Sequence, residues 1–203
     1  MQANPNRKKL YHLPGQFGML SFPRVSFLPK EEHPFTISSA GVDGSLRFSI
    51  KALGDYTKTV ALIGEGVDAT IEGPFGEFSY LYGTTKQVWV AGGIGVTPFV
   101  SMAEYMLTQE SIPYTIDFFY SSRSEADGVY KELFDAVMHK HPSFVFHFMP
   151  SDTKGFITGE VILGSALDLH SRDIFICGPP GLMAALTDQL IAIKVPFKNI
   201  RTE

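Results

Sequence analysis

Residues 88–98 constrain the fold of this chain more than any other stretch. They read Val-Trp-Val-Ala-Gly-Gly-Ile-Gly-Val-Thr-Pro, a short apolar run that passes directly into a glycine turn. An apolar run with β-branched residues favours a buried parallel strand. Thr97 is a good helix N-cap, and Pro98 is tolerated at the first helical position because its missing N–H would be unpaired there. The segment therefore predicts a strand, a glycine turn and a helix.

The glycine turn predicts a cradle for a phosphate group. Gly92, Gly93 and Gly95 let a pyrophosphate approach the backbone, and the positive helix end with its free N–H groups favours an anion. The spacing Gly-Gly-x-Gly-x-Thr-Pro differs from the common Gly-x-Gly-x-x-Gly fingerprint. The alternative is a tight strand-to-helix turn that binds nothing.

Composition excludes several classes of protein. The chain has 203 residues, of which 44% are hydrophobic, which is enough for one large domain or two small ones. A net charge of −4 without a basic block argues against nucleic acid as a partner. The single Cys177 excludes a disulfide framework and a cysteine zinc site. No metal site is predicted, because His139 and His141 do not share a helix face.

The pattern of elements changes near Tyr82, which divides the chain into domains 1–82 and 83–203. Short strands and tight turns in the first domain predict an antiparallel β-barrel. Its strands are expected at residues 17–22, 34–38, 46–53 and 69–72, with a hairpin turn at 42–45, a helix at 56–63 and a strand-ending turn at 73–76.

Strands and helices alternate in the second domain, which predicts an α/β Rossmann-like parallel sheet with helices on both faces. The strands are expected at residues 87–91, 114–120, 145–149 and 173–177, and the helices at 97–109, 129–139, 159–163 and 182–193. In such sheets ligands bind beyond the carboxyl ends of the strands. The glycines after Ala91, the segment 121–123 and the segment 177–180 lie at those ends, so all three can face one cleft.

Residues after the second strand of this sheet bear on the choice of coenzyme. Ser122 and Arg123 suit the 2′-phosphate of NADPH, whereas an acid there would suit the free 2′-hydroxyl of NADH. No acid directly follows the strand, and NADPH is therefore favoured; a solvated loop arginine is the alternative. Tyr130 can pack on the adenine or cap the core. Cys177 can lie beside a nicotinamide ring or be a small buried hydrophobe.

The first domain offers a second set of candidate ligand-binding residues. Aromatic and hydroxyl groups on one strand can cover a flat heterocycle and hydrogen-bond its edge, although an ordinary edge strand looks the same. The candidates on this strand are His33, Pro34, Phe35, Thr36 and Ser38. A helix start at Gly54, with Thr57 and nearby N–H groups, can hold a second pyrophosphate. Two anion cradles, one in each domain, suggest two cofactors that face each other.

Five motifs in this order resemble those of the ferredoxin–NADP⁺ reductase superfamily, and within it the flavin domain of ferric reductases and NADPH oxidases. The most discriminating is His33-Pro34-Phe35-Thr36, the form typical of that branch, where other superfamily members carry Arg-x-Tyr-Ser. The others are Gly54-Asp55-Tyr56-Thr57, Gly73-Pro74-Phe75-Gly76, Gly92-Gly93-x-Gly95-x-Thr97-Pro98 and Cys177-Gly178-Pro179-Pro180-Gly181-x-Met183.

The resemblance implies FAD in the first domain and NADPH, or NADH, in the second. Thr97 and Cys177 would shape the nicotinamide pocket where a hydride passes to the flavin, and Gly178, Pro179 and Met183 would bind the nucleotide. Electrons would continue singly to a heme-bearing transmembrane domain of the same full-length protein and then to ferric iron or oxygen.

The chain also departs from the family pattern. Few residues precede the turn at Pro14, and no aromatic residue follows Ile200-Arg201-Thr202-Glu203. We therefore expect an N-terminally incomplete barrel and a soluble fragment from the cytosolic face of a longer membrane protein. One alternative function is a soluble reductase that serves an iron–sulfur protein or an oxygenase. The other is a non-catalytic regulatory module that binds nucleotides.

Overall fold

The computed structural model describes residues 10–41 and 44–203, which form two β-sheets. We call residues 10–82 the N-terminal half, without positions 42 and 43, and residues 83–203 the C-terminal half. The N-terminal half has a three-stranded antiparallel sheet with the order β2-β1-β3. Its elements are β1 (Phe17–Ser21), β2 (His33–Thr36), α1 (Asp55–Val60) and β3 (Thr70–Phe75).

Two predictions for the N-terminal half are wrong. Residues 46–53 form no strand and meet the sheet only through an isolated bridge between Ile37 and Phe48, because the Arg47 N–H donates to Ser39 Oγ and not to a carbonyl. The turn predicted at residues 73–76 does not end β3, which continues to Phe75 opposite Phe17, with an irregularity in β1. The predicted hairpin turn includes Val42 and Asp43, which lie outside the described residues.

The C-terminal half is a five-stranded parallel sheet with the order β6-β5-β4-β7-β8. The strands are β4 (Lys86–Gly92), β5 (Thr115–Ser122), β6 (Phe144–Pro150), β7 (Asp173–Cys177) and β8 (Ile200–Thr202). The helices are α2 (Thr97–Thr108), α3 (Lys131–Lys140), α4 (Ser151–Lys154), α5 (Gly159–Ser165) and α6 (Pro180–Ala192). The Rossmann-like parallel sheet is confirmed, and β8 and α4 are additions that the sequence pattern did not show.

Helix starts differ from the sequence expectation in two places. Val96 is the N-cap of α2, so Thr97 is the first helical residue and not the cap; its hydroxyl donates to the Ile94 carbonyl at 3.1 Å. A short 3₁₀ turn, Gly93–Val96, takes up the space between strand and helix. Helix α3 begins two residues later than expected, because Tyr130 before it has a left-handed backbone with φ of 63°.

Alternate residues of β4 pack into two different apolar layers, as the period of a strand requires. Trp89 points into one layer with Phe99 and Phe118, while Val88 and Val90 point into the other. All of these side chains are fully buried. Because β4 lies between β5 and β7, the strand order reverses between β4 and β7, and a crevice opens at their carboxyl ends.

The opposite ends of these strands carry a buried ion cluster. Arg172 donates to Asp117 Oδ2 and to Asp168 Oδ1, each at 2.6 Å, and both Arg172 and Asp117 are buried. Hydrogen bonds from Lys86 and Arg172 lower the pKa of Asp168 to about 2. This cluster lies at the sheet edge away from the crevice, so it serves to hold the fold together.

Polar contacts join the two halves. Arg47 pairs with Glu104 of α2, whose other oxygen accepts from the Ala40 N–H at 3.1 Å. The Tyr130 and Ser49 hydroxyls share a hydrogen bond of 2.6 Å. Together these contacts place the N-terminal sheet over the crevice. Within the described ranges, no helix combines the length and the apolar character that crossing a bilayer requires.

Candidate functional site

A cavity of about 780 Å³ lies between the two halves, and we call it the central cavity. Its N-terminal wall is formed by β2, residues 49–51 and residues 53–57. Its C-terminal wall is formed by residues 92–95, Thr97 and residues 177–180. The motifs that sequence analysis singled out in separate parts of the chain thus face one space.

Two further cavities continue from the same crevice. The outer cavity, of about 620 Å³, lies between residues 121–123 and the start of α6 and is mostly apolar. The interface cavity, of about 640 Å³, lies between residues 49–51 of the N-terminal half and residues 120–130 of the C-terminal half. Gly93 lines all three cavities. The arrangement has room for an extended ligand that passes over this glycine.

The three glycines of the turn do different things. Gly93 has φ of 54°, and a Cβ added there would meet nothing within 4 Å, so its backbone stays open to a ligand. A Cβ on Gly95 would lie 2.3 Å from the Cys177 carbonyl oxygen, and one on Gly92 would lie 2.5 Å from Leu182. Gly92 and Gly95 thus let the segment around Cys177 pack closely, while Gly93 provides the opening of the predicted cradle.

Cys177 lies at the end of β7 and lines the central cavity. Burial, and then the nearby Glu203 carboxylate, raise the pKa of its thiol to about 12. The thiol is therefore neutral at physiological pH and not an activated nucleophile. It can provide a compact, polarisable wall for a flat ring.

Glu203 lies next to Cys177, outside the three cavities, and sequence reasoning did not indicate it. Its backbone N–H donates to the Ile176 carbonyl at 3.2 Å, which brings the carboxyl group beside Cys177. Burial raises the pKa of this carboxyl to about 7, and its Oε2 atom has no hydrogen-bond partner among the described residues. No local sequence pattern predicts this contact, because it depends on the pairing of β8 with β7 at the edge of the sheet.

His33 and Thr57 line the N-terminal wall but already have partners. The His33 ring lies 3.7 Å from the Tyr56 ring, centroid to centroid, and His33 Nε2 lies 3.2 Å from Glu31. The Thr57 hydroxyl accepts from the Leu53 and Gly54 N–H groups at 2.9 and 3.0 Å. Thr57 therefore shapes the turn that presents Gly54.

Lys51 was also missed by sequence reasoning. It is the single Lys or Arg among the described residues that line the central cavity, and it lines the interface cavity too. Residues 51–53 are exposed, so its ammonium is accessible to an anion held at the adjacent Gly54 turn. The alternating pattern of residues 46–53 suggested a strand face and hid this role.

Three predicted site residues do not line any of these cavities. Ser38 is fully buried and hydrogen-bonds the Arg47 carbonyl and the Ser49 hydroxyl. Pro98 is buried in the first turn of α2. Met183 packs on the apolar layer around Val88. Their effect on a ligand would be exerted through neighbouring residues.

The predicted coenzyme-selecting residues lie together. Ser122 and Arg123 line both the outer and the interface cavity, and Tyr130 lines the latter. The Arg123 carbonyl accepts from the Asp152 N–H, which fixes its backbone, while no ion pair holds its side chain within the described part of the chain. Asp127, which sequence reasoning did not consider, also lines the interface cavity and accepts from Ser124 Oγ at 2.8 Å.

These features fit a flavin and a nicotinamide coenzyme. The open backbone at Gly93, the neutral thiol of Cys177 and the accessible cations Lys51 and Arg123 match the pyrophosphates and flat rings of both groups. Within residues 10–41 and 44–203, no three His, Cys, Asp or Glu side chains gather where they could hold a metal ion.

Comparisons with known families agree with this geometry. A family model described as an FAD-binding domain matches residues 1–79, and one described as an oxidoreductase NAD-binding domain matches residues 89–188. Together the two matches span most of the chain. Its cofactors are accordingly FAD and NAD(P)H.

Curated relatives match the chain over part of their length. One component of the Na(+)-translocating NADH-quinone reductase of Pseudoalteromonas atlantica is 32% identical over 149 residues, which are 67% of this chain and 36% of that protein. The same component from Haemophilus influenzae is 31% identical over 148 residues, or 66% and 36%. The chain thus spans about a third of the length of these relatives.

Solved structures share the fold. The FAD/NAD-binding domain of nitric oxide dioxygenase from Vibrio cholerae has a TM-score of 0.79 at 21% identity and covers 96% of this chain and 85% of that one. A ferredoxin–NADP⁺ reductase variant from Plasmodium falciparum has a TM-score of 0.75 at 18% identity, covering 95% and 83%. The ferredoxin reductase of a carbazole 1,9a-dioxygenase has a TM-score of 0.71 at 23% identity, covering 95% and 60%. With both family models matched in order and the two-sheet fold shared, the chain belongs to the ferredoxin–NADP⁺ reductase superfamily.

Proposed function

We propose that the chain carries electrons from NADPH through FAD to a one-electron acceptor, with residues 1–82 holding FAD and residues 83–203 holding the coenzyme. One observation carries the proposal: a single cavity is lined by β2 on one side and by Gly93 and Cys177 on the other. This arrangement allows two flat rings, one held by each half, to meet in one space. A module that bound only a nucleotide would not need the N-terminal wall.

The residues of the chain position the two cofactors. When bound, FAD and the coenzyme supply hydride transfer and its conversion into single electrons. Gly93 admits a pyrophosphate to the backbone at the start of α2, and Lys51 balances the charge of a second pyrophosphate near Gly54. Thr97 and Cys177 form the wall against which the reacting rings are held.

Arg123 carries our preference for NADPH over NADH. Arg123, which has no ion pair among the described residues, and Ser122 line the two cavities where a 2′-phosphate would lie. Asp127 in the interface cavity supports the opposite choice, because a carboxylate can accept from a 2′-hydroxyl, and the relatives with about 30% identity are named for NADH. We expect Arg123→Ala to reduce NADPH turnover at least tenfold more than NADH turnover. Asp127→Asn should leave NADPH turnover unchanged.

His33-Pro34-Phe35-Thr36 supports the ferric reductase and NADPH oxidase branch. In that case the whole protein would place this module at the cytosolic face of a membrane, where a heme-bearing domain passes electrons to ferric iron or oxygen. A second candidate is a soluble reductase for an iron–sulfur protein or an oxygenase. The shared fold with the reductase of a carbazole dioxygenase favours that candidate.

Titration of the purified chain with FAD, followed by NADPH or NADH without oxygen, tests the proposal. We expect FAD to bind and its visible absorbance to bleach faster with NADPH. Equal rates of bleaching with both coenzymes would contradict the proposed role of Arg123 in selecting NADPH. Binding of a coenzyme without FAD would leave only the C-terminal half of the proposal, and binding of neither to a folded chain would favour a regulatory module.

A further inference from the structure

Strand β6 forms an open edge of the C-terminal sheet. It is the outermost strand in the order β6-β5-β4-β7-β8, and among the described strands it pairs with β5 alone. Its residues Phe144–Pro150 are mostly apolar, and Val145 is 39% exposed. The edge of a sheet presents a row of N–H and C=O groups that can pair with a strand of another chain.

The other edges of the two described sheets carry features that discourage such pairing. In the N-terminal sheet, edge strand β2 contains Pro34 and edge strand β3 contains Pro74. In the C-terminal sheet, edge strand β8 has only three residues. Proline and short length are common means of protecting an edge. Strand β6 has seven residues and its Pro150 comes last, so the stretch 144–149 has neither protection.

The register with β5 fixes which backbone groups of β6 face outward. The Ser143 carbonyl accepts from the Ile116 N–H at 2.9 Å, which begins a parallel ladder between the two strands. Because such a ladder uses every second residue of a strand, residues 145, 147 and 149 bond to β5. Residues 144, 146 and 148 therefore turn their N–H and C=O groups to the open edge.

Only the two ends of this outward row are already occupied. The Phe144 N–H donates to the His141 carbonyl at 2.9 Å. The Phe148 carbonyl accepts from Lys154 Nζ at 2.8 Å. Four groups have no hydrogen-bond partner within the described part of the chain: the Phe144 C=O, the N–H and C=O of Phe146, and the Phe148 N–H.

These free groups are complementary to a second copy of themselves. Antiparallel strands exchange two hydrogen bonds between opposite residues at every second position. A two-fold axis at Phe146 places this residue opposite Phe146 of the second copy, and their free groups satisfy each other. On each side, the Phe148 N–H of one copy meets the Phe144 C=O of the other. The bonds that this pattern lacks are those whose groups are occupied within the chain, whereas an axis at Phe144 or Phe148 would need an occupied group at its centre.

We propose that two copies of this chain pair antiparallel along β6, with the two-fold axis at Phe146, so that their five-stranded sheets form one continuous sheet. A two-fold interface uses the same surface on both subunits, as a self-complementary edge requires. On one face Val145 would lie opposite His147 of the second copy. Residues 144–149 line none of the three cavities, so the pairing leaves those cavities open and is independent of the proposed function.

Disulfide crosslinking tests the register of this pairing. Val145 and His147 of the two copies would form a non-hydrogen-bonded pair, whose Cα spacing of about 4.5 Å permits a disulfide. We expect a mixture of Val145→Cys and His147→Cys chains to crosslink in oxidised glutathione, and Val145→Cys alone to crosslink far less, because its two copies lie diagonally. Val145→Cys mixed with Leu167→Cys is the matched control, since Leu167 is 84% exposed but lies before β7 and not on β6. Cys177 is present in every mixture and cannot produce the difference.

Sedimentation over a range of protein concentrations gives the second measurement. We expect a reversible equilibrium between the chain and its dimer. Val145→Lys should raise the dimer Kd about tenfold or more, because the charge enters the paired edge twice. Val145→Thr keeps the β-branch and should leave the Kd within about twofold. A chain that stays monomeric and gives no mixed crosslink would overturn the proposal and leave the edge for a strand of another protein. A dimer without the mixed crosslink would use a different surface and would overturn it as well.

Discussion

The two halves of the molecule are stabilised in different ways. The C-terminal half has five parallel strands between two apolar layers whose central side chains are fully buried. The N-terminal half has three strands, its helix α1 has no buried residue, and residues 64–70 are exposed. One half therefore brings its own core to the cavity, while the other depends more on its contacts with that core.

Loss of the buried ion cluster in the C-terminal half should produce the largest predicted change in the free energy of unfolding. Arg172→Met removes the arginine partner of the buried Asp117 carboxylate and leaves it the His147 ring at 3.3 Å. An uncompensated buried charge costs about 3–5 kcal/mol. We expect the free energy of unfolding to fall by that amount in urea titrations, with little change in coenzyme Kd for the fraction that is folded.

Lys86→Met provides the matched control for this prediction. Lys86 pairs with Asp168 on the same cluster, but its side chain is 55% exposed, so the loss should be at most ~1 kcal/mol. Equal losses for Arg172→Met and Lys86→Met would contradict the view that a buried charge anchors this half.

Two of the three glycines of the turn, Gly93 and Gly95, should separate stability from binding. Gly95→Ala places a Cβ against the Cys177 backbone, and overpacking of this kind costs about 1–3 kcal/mol. Gly93→Ala meets no atom, so its cost is limited to the strain of a positive φ, about 1 kcal/mol. We expect Gly95→Ala to lower Tm more than Gly93→Ala does. Gly93→Ala should change Tm little and should raise the coenzyme Kd. The reverse order would show that Gly93 is needed for packing.

Glu203 should give the fold a pH dependence that comes from the C-terminal half. Burial raises the pKa of its carboxyl from 4.5 to about 7, so the folded chain holds this proton more tightly than the unfolded chain. Stability from this group is therefore present below pH 4.5 and is lost as the pH rises toward 7. After allowance for partial solvent exposure, we expect a loss of about 1–2 kcal/mol.

Urea titrations across this pH window, on the chain and on Glu203→Gln, measure the effect. The variant should lack the downward slope that Glu203 contributes between pH 4.5 and 7. Glu110→Gln is a control, since that carboxyl lies on the surface. An unchanged slope in Glu203→Gln would mean that other groups govern the pH dependence.

The same contrast explains what could be predicted from the sequence. In the C-terminal half, apolar runs such as residues 87–91 predict the strands correctly, because a strand buried on both faces has a continuous run of hydrophobic residues. In the N-terminal half, residues 46–53 alternate like a strand, yet their backbone bonds to the Ser39 side chain. Local motifs located Gly93, Cys177 and Arg123. Lys51 was missed because it reaches the cavities only through tertiary packing, and Glu203 because β8 brings it beside Cys177.

The smallest predicted effect concerns the contact between the halves. Tyr130→Phe removes the hydroxyl that shares a 2.6 Å hydrogen bond with Ser49 and leaves the ring under Arg47 in place. The net loss of one such bond is about 1 kcal/mol. Because the C-terminal half has its own core, we expect this loss to appear as faster hydrogen exchange in residues 44–60 and as weaker FAD binding, with the sheet from β4 to β7 unchanged. Tyr82→Phe is the control, since Tyr82 is 53% exposed and its hydroxyl has no hydrogen bond among the described residues. Exchange that quickened equally in both halves would show that they unfold as one unit, and the comparison on which these predictions rest would then fail.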